Sequence, residues 1–127
     1  MVSYLLDTNI LIDLCGGKRG KSFFQKILKG EEARIATSIL CIAEFMAGAG
    51  RFEEKFLRHW IDSGELEIVY FDQLEDAYLA AKLRKENHLT LPDALILSCA
   101  IREKMHLLTY DADLLRNARH FISTSSP

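Results

Sequence analysis

Cysteine is scarce in this sequence and is arranged for no evident chemistry. Cys15, Cys41 and Cys99 form no C-x-x-C pair, and an odd number leaves no complete disulfide framework. Two of them lie in apolar helical stretches, where a reduced thiol behaves as a small hydrophobe. The four histidines, His59, His88, His106 and His120, show no metal-ligand spacing, which argues against a zinc site. No run approaches the roughly 18 apolar residues of a membrane span. The opening residues lack a basic region followed by a long apolar core, so the cytoplasm is the expected location. Positive charge is not in excess either. Sixteen Lys and Arg against 18 Asp and Glu leave a net charge of −2, and any basic surface for nucleic acid has to be local.

What is present fits an ordinary globular chain. Its 127 residues are 49% hydrophobic and 27% charged, enough for a single domain over residues 1–127. A chain of this size buries roughly two-thirds of its unfolded surface.

Strand and helix signals alternate along the chain. Val2 to Leu6 reads as a buried strand that stops on Asp7, and Asn9 to Leu14 as a helix with Thr8 or Asn9 as N-cap. Gly16 to Lys21 is a Gly-rich basic break without the G-K-[ST] ending of a P-loop, and reads as a turn. Ser22 to about Lys29 is a helix with Phe23, Phe24, Ile27 and Leu28 inward, and Ala33 to Ala36 a short strand. Thr37 or Ser38 caps the next helix, through Ala47. Arg51 to about Ile61 carries Phe52, Phe56, Leu57 and Trp60 inward. Leu66 to Phe71 is a strand, and Gln73 to Asn87 an amphipathic helix with Leu74, Ala77, Tyr78 and Ala81 on one stripe. Thr90-Leu91-Pro92-Asp93 opens a helix to about Lys104. His106 to Thr109 is a strand, Asp111 to Ala118 a short helix, His120 to Ile122 a last strand, and Ser123 to Pro127 a fraying tail. Strands separated by helices imply an α/β fold, a three-layer α/β/α sandwich around a parallel sheet of four to five strands.

The acids carry the chemistry. Asp7 ends the first strand, where open parallel sheets bind ligands, although an acid there also caps helices. Glu44 is the only charged residue between Arg34 and Arg51, in a helix apolar almost all round that should be buried. It needs a cation, a donor network or the rim of a polar cleft. Asp93 follows Thr90 in a capping-box-like pattern that accounts for it without chemistry. Asp111 and Asp113 follow the fourth strand, and one of them is expected to cap the next helix. Asp13 reads as a rim residue and Asp72 as a cap.

Asp7 and Asp111 follow strands, while Glu44 and Asp93 lie in early turns of helices packed on the sheet. If the two strands are neighbours, four carboxylates share one cleft. Two carboxylates about 5 Å apart repel by roughly 3 kcal/mol at an effective dielectric near 20, so four demand a cation. An oxygen-only site selects Mg²⁺ or Mn²⁺, which activate water and stabilise the leaving oxygen in phosphodiester hydrolysis. Local basic residues, with Lys18, Arg19 and Arg51 as candidates, then only steer the substrate backbone.

Leu5 to Ile12, Ser38 to Glu44, Leu91 to Ile96 and Leu108 to Asp113 together resemble, in order, the PIN-domain ribonucleases. The likeness is to the small VapC-type toxins of type II toxin–antitoxin pairs. It implies a parallel sheet sandwiched by helices and an acidic quartet at Asp7, Glu44, Asp93 and Asp111, with Asp113 as a further contributor, binding Mg²⁺ or Mn²⁺. Thr8 or Asn9, and Thr109, match the small polar positions that buttress those acids. The likeness further implies a homodimer and a cognate antitoxin that blocks the site. The expected function is a metal-dependent endoribonuclease toxin cutting structured RNA such as tRNA or rRNA. Alternatives are a housekeeping PIN nuclease of RNA maturation, a phospho-acceptor signalling domain using Asp7 with Asp72, and a non-catalytic partner-binding module. A haloacid-dehalogenase-type phosphatase is disfavoured because Asn9 stands where it needs a second Asp.

Overall fold

A computed structural model of the chain describes residues 2–16 and 33–126. The expected Gly-rich turn, the helix from Ser22, and the candidates Lys18 and Arg19 lie outside the described residues.

Alternation of β-branched and aromatic residues with small ones makes β1 (Val2–Leu6), and its two last leucines are fully buried. Each such leucine contributes about 1.5–3 kcal/mol by leaving water. The chain continues through α1 (Thr8–Gly16), β2 (Ala33–Ser38), α2 (Ile39–Gly48), α3 (Arg51–Asp62) and β3 (Glu67–Val69). Then come α4 (Leu74–Asn87), α5 (Leu91–Glu103), β4 (His106–Leu108), α6 (Ala112–Ala118) and β5 (Thr124–Ser125). All strand pairings are parallel, in the order β3-β2-β1-β4-β5. The sheet is the centre of an α/β/α sandwich, as the alternating pattern predicts.

β1 is the central strand, with Leu6 beside Thr37 of β2 on one side and Leu108 of β4 on the other. After β1 the chain builds outward through β2 and β3, then crosses back to place β4 and β5 on the other flank. The order therefore reverses between β1 and β4, which opens a crevice at their carboxyl ends. The ladder runs on into that crevice, where Asp7 N–H donates to the Leu108 carbonyl at 3.0 Å.

Several expected faces turn out differently. In α3 only Leu57 is buried, while Phe52 and Phe56 are 70% and 43% exposed. In α4 the stripe of Leu74 and Tyr78 faces outward at 63% and 67% exposure, and Asp76, Ala80 and Leu83 face the core instead. The reason is an ion pair: Arg102 of α5 meets buried Asp76 at 2.7 Å, so the acid can point inward. Alanines on both faces hide this choice from a periodicity reading.

The last strand is Thr124–Ser125, and not His120 to Ile122, which turns back onto Ala118. The polar tail is tied through Ser125 rather than frayed. Leu107 and Thr109 donate backbone N–H groups to Ser123 and Ser125, and the His106 ring lies between the hydroxyls of the same two serines at 2.9 and 2.8 Å. Among the described residues no helix is long and apolar enough to cross a membrane.

Candidate active site

Asp7 occupies the head of the crevice, 6% exposed, with a hydrogen bond to each carboxylate oxygen. Oδ1 accepts the Thr8 N–H at 2.8 Å. Oδ2 accepts the Thr109 hydroxyl at 2.6 Å and the Asn9 amide at 3.3 Å. Its backbone carbonyl receives Ile10 and Leu11 N–H, so the same residue opens α1. Capping and the crevice position coincide. Burial raises the Asp7 pKa above 3.8, against the lowering effect of the Thr109 and Thr8 hydrogen bonds, and the charge of Asp111 adds to the rise.

Thr109 is the knot between β1 and β4. A hydroxyl has one proton and two lone pairs. Its proton goes to Asp7, and its oxygen accepts the Asn9 amide at 3.3 Å and the Asp111 N–H at 3.0 Å. Every capacity of that oxygen is used, and it joins both strand-ending acids.

Glu44 stands on the exposed side of α2, where only Cys41 and Phe45 are buried. The expectation of a buried helix is corrected: α2 packs by one edge, and Glu44 sits at a polar rim, one of the settings its charge allows. Its Oε1 accepts the Thr8 hydroxyl at 3.1 Å. Ser38 is the α2 N-cap, accepting from Cys41 N–H at 3.1 Å. Asp93 lies in the first turn of α5, whose N-cap Thr90 accepts the Asp93 N–H at 3.4 Å. The cap engages Thr90 through the Asp93 backbone. Burial pushes the Asp93 carboxyl up to about 6, and the charges of Asp111, Asp7 and Glu44 add to it.

Asp111 both caps and faces the cluster. Its Oδ1 accepts Leu114 N–H at 3.0 Å at the start of α6, leaving Oδ2. Asp113, expected to be the spare acid if Asp111 capped, is exposed and ion-paired with Arg116. Asp72 is exposed and Gln73 takes the N-cap position of α4, so Asp72 caps nothing. Arg51 is exposed at the first residue of α3.

Four carboxylates distant in sequence thus act on one another electrostatically at a single sheet edge. Among the described residues none of the four is in an ion pair. Nor do any three His, Cys, Asp or Glu side chains there form a ready-made ligand set. The donor chemistry, carboxylate oxygens only, fits a hard divalent cation. The thiols do not compete: Cys15, Cys41 and Cys99 are buried and free, and burial pushes Cys15 and Cys99 up to about 11 and 12. Two residues escape sequence reasoning: Cys41, whose Sγ lies 3.9 Å from Asp7 Oδ1, and Tyr110, bonded to Asp13 at 2.8 Å. The i, i+4 spacing of Asn9 and Asp13 is the one sequence signal for the second.

The profile of the PIN domain matches residues 4–120. Among solved structures, VapBC2 from Rickettsia felis, bound to a DNA fragment from its promoter, superposes with a TM-score of 0.76 at 23% identity, covering 98% of both chains. A toxin–antitoxin complex from Klebsiella pneumoniae is 30% identical over 88% of this chain and 89% of the other, with a TM-score of 0.70. VapBC-1 from nontypeable Haemophilus influenzae has a TM-score of 0.74 at 16% identity over 98% of each chain. Comparison with curated protein sequences gives no match.

Proposed function

The chain belongs to the PIN-domain family, and from that premise we propose that residues 1–127 form one domain acting as a metal-dependent endoribonuclease toxin in the cytoplasm. Its substrate is structured RNA such as tRNA or rRNA, and a cognate antitoxin holds it in check. The observation that carries this reading is the hydrogen-bond web that gathers acids distant in sequence: Thr8 joins Asp7 to Glu44, and Thr109 joins Asp7 to the backbone of Asp111. The charges of Asp111, Asp7 and Glu44 also act on Asp93, whose carboxyl is raised first by burial. Structural kinship with a toxin–antitoxin complex at 30% identity supports the toxin role and the antitoxin partner.

Asp7, Glu44, Asp93 and Asp111 would hold Mg²⁺ or Mn²⁺. Bound there, the ion supplies an activated water and neutralises charge on the phosphodiester. The chain's own groups do the rest. Thr109, Thr8 and Asn9 orient Asp7 and Glu44, so their lone pairs are aimed before substrate arrives. Asp93, held in the first turn of α5 by the Thr90 cap, presents its carboxylate to the same cleft. Exposed Arg51 is the described basic residue we assign to the RNA backbone, together with Lys18 and Arg19. A homodimer completes the assembly.

The test is incubation of purified protein with total cellular RNA, with and without Mn²⁺. Mn²⁺-dependent cleavage that vanishes in Asp93→Asn is expected; no cleavage with Mn²⁺ sinks the reading. Growth arrest that is relieved by co-expressing the neighbouring antitoxin frame separates a toxin from a housekeeping nuclease.

A further inference from the structure

Tyr110 lies in sequence between Thr109, which reaches Asp7, and Asp111. Both of its ends are held by α1. Its backbone N–H donates to Asn9 Oδ1 at 3.1 Å, and its phenol hydroxyl donates to Asp13 Oδ2 at 2.8 Å. Asn9 and Asp13 are one turn apart on the same face of α1, a rise of about 6 Å that a tyrosine side chain spans. The residue therefore runs along α1 as a strut. Asn9 passes the constraint onward, because its amide nitrogen donates to both Asp7 Oδ2 and Thr109 Oγ1 at 3.3 Å.

We propose that Asp13 and Tyr110 are positioning residues that set where Asp111 stands relative to Asp7. The inference rests on the metal-nuclease reading above. Asp7 belongs to the rigid centre of the sheet, whereas Asp111 sits on the short turn between β4 and α6. That turn is tied to α1 twice, by the Tyr110 N–H at Asn9 and by the Tyr110 phenol at Asp13, one helical turn further on. The second tie fixes the direction in which the turn leaves β4, and with it the place of Asp111. Neither residue touches a reacting atom. They act through Asp111, so the property they control is affinity for the ion.

The experiment is calorimetric titration of the full chain with Mn²⁺, with thermal melting in the absence of added metal as a companion measurement. Tyr110→Phe and Asp13→Ala each remove the tether, and the expected result is Mn²⁺ affinity weaker by about tenfold, as for supporting residues behind metal ligands in general. Asp13→Asn keeps an oxygen that accepts the phenol proton and is expected to bind within about twofold of wild type, a rescue that loss of packing would not show. Asp7→Asn is the reference for lost binding. Wild-type affinity in both Tyr110→Phe and Asp13→Ala, with Asp7→Asn dead, overturns the proposal; so does Asp13→Asn as weak as Asp13→Ala, because Asp13 would then act by charge. A wild-type chain that binds no Mn²⁺ overturns the nuclease reading and this inference with it, and is recognisable because the wild type itself fails.

Discussion

Thr109 donates its hydroxyl proton to Asp7 across 2.6 Å, locking the carboxyl end of β4 to that of β1. The bond has the length of a charge-assisted O–H···O⁻ contact. It stands where the order of strands reverses, so one hydroxyl registers the two halves of the sheet and aims the most buried acid of the site.

Thr109→Val should therefore destabilise the chain by about 1–3 kcal/mol, the cost of losing a hydrogen bond to a buried carboxylate and the acceptor of the Asp111 N–H. That bond holds the Asp7 pKa down, so its loss raises the pKa further. The destabilisation should therefore grow as pH rises, because the ionised form of Asp7 is the one that loses its donor; pH 5 and pH 8 bracket the comparison. Denaturant unfolding at the two pH values measures it.

Stability should fall as pH rises from about 4 through 6. Asp93 has its pKa raised from 3.8 to about 6, so the folded chain binds more protons than the unfolded chain in that window. Its favourable contribution is complete below the unfolded value and is lost as pH passes the folded one. Asp7, also raised, acts in the same direction. Asp93→Asn should flatten this slope in thermal melts, and Mn²⁺ should stabilise wild type more at pH 7.5 than at pH 5 because the ion needs ionised carboxylates.

Asp111→Asn should keep the fold yet abolish the Mn²⁺ response. Asn caps a helix as well as Asp does, so the bond to Leu114 N–H survives while the charge is lost. Asp113→Asn should stay within about 0.5 kcal/mol of wild type and keep the full response, since its partner Arg116 forms an exposed pair. Thermal shift of both variants with Mn²⁺ distinguishes them.

Arg102→Met should cost about 3 kcal/mol or more. It would strand Asp76, which is 3% exposed and whose Oδ2 has no hydrogen-bond partner among the described residues. Adding Asp76→Leu should recover much of the loss, and chemical denaturation of the single and double variants checks the coupling.

The order of strands and helices was legible because each is bounded by a clear signal: Asp7 after an apolar run, Ser38 before another, and Thr90 with Pro92 ahead of α5. The acids were legible for the same reason, since they fall at element ends. What hid were partners remote in sequence. Nothing local says that Arg102 neutralises Asp76, so the α4 stripe was assigned to the wrong face. Nothing local says that His106 gathers Ser123 and Ser125, so β5 was placed too early. The apolar composition of α2 points to a buried helix, but α2 buries only Cys41 and Phe45 and leaves Glu44 at the rim.

The most direct test of the central claim is mapping of RNA 5′ ends in cells expressing wild type or Asp7→Asn at equal levels. New ends at a few positions in structured RNA with wild type, and none with Asp7→Asn, are the predicted result. The same new ends with Asp7→Asn, or none with wild type, would contradict it.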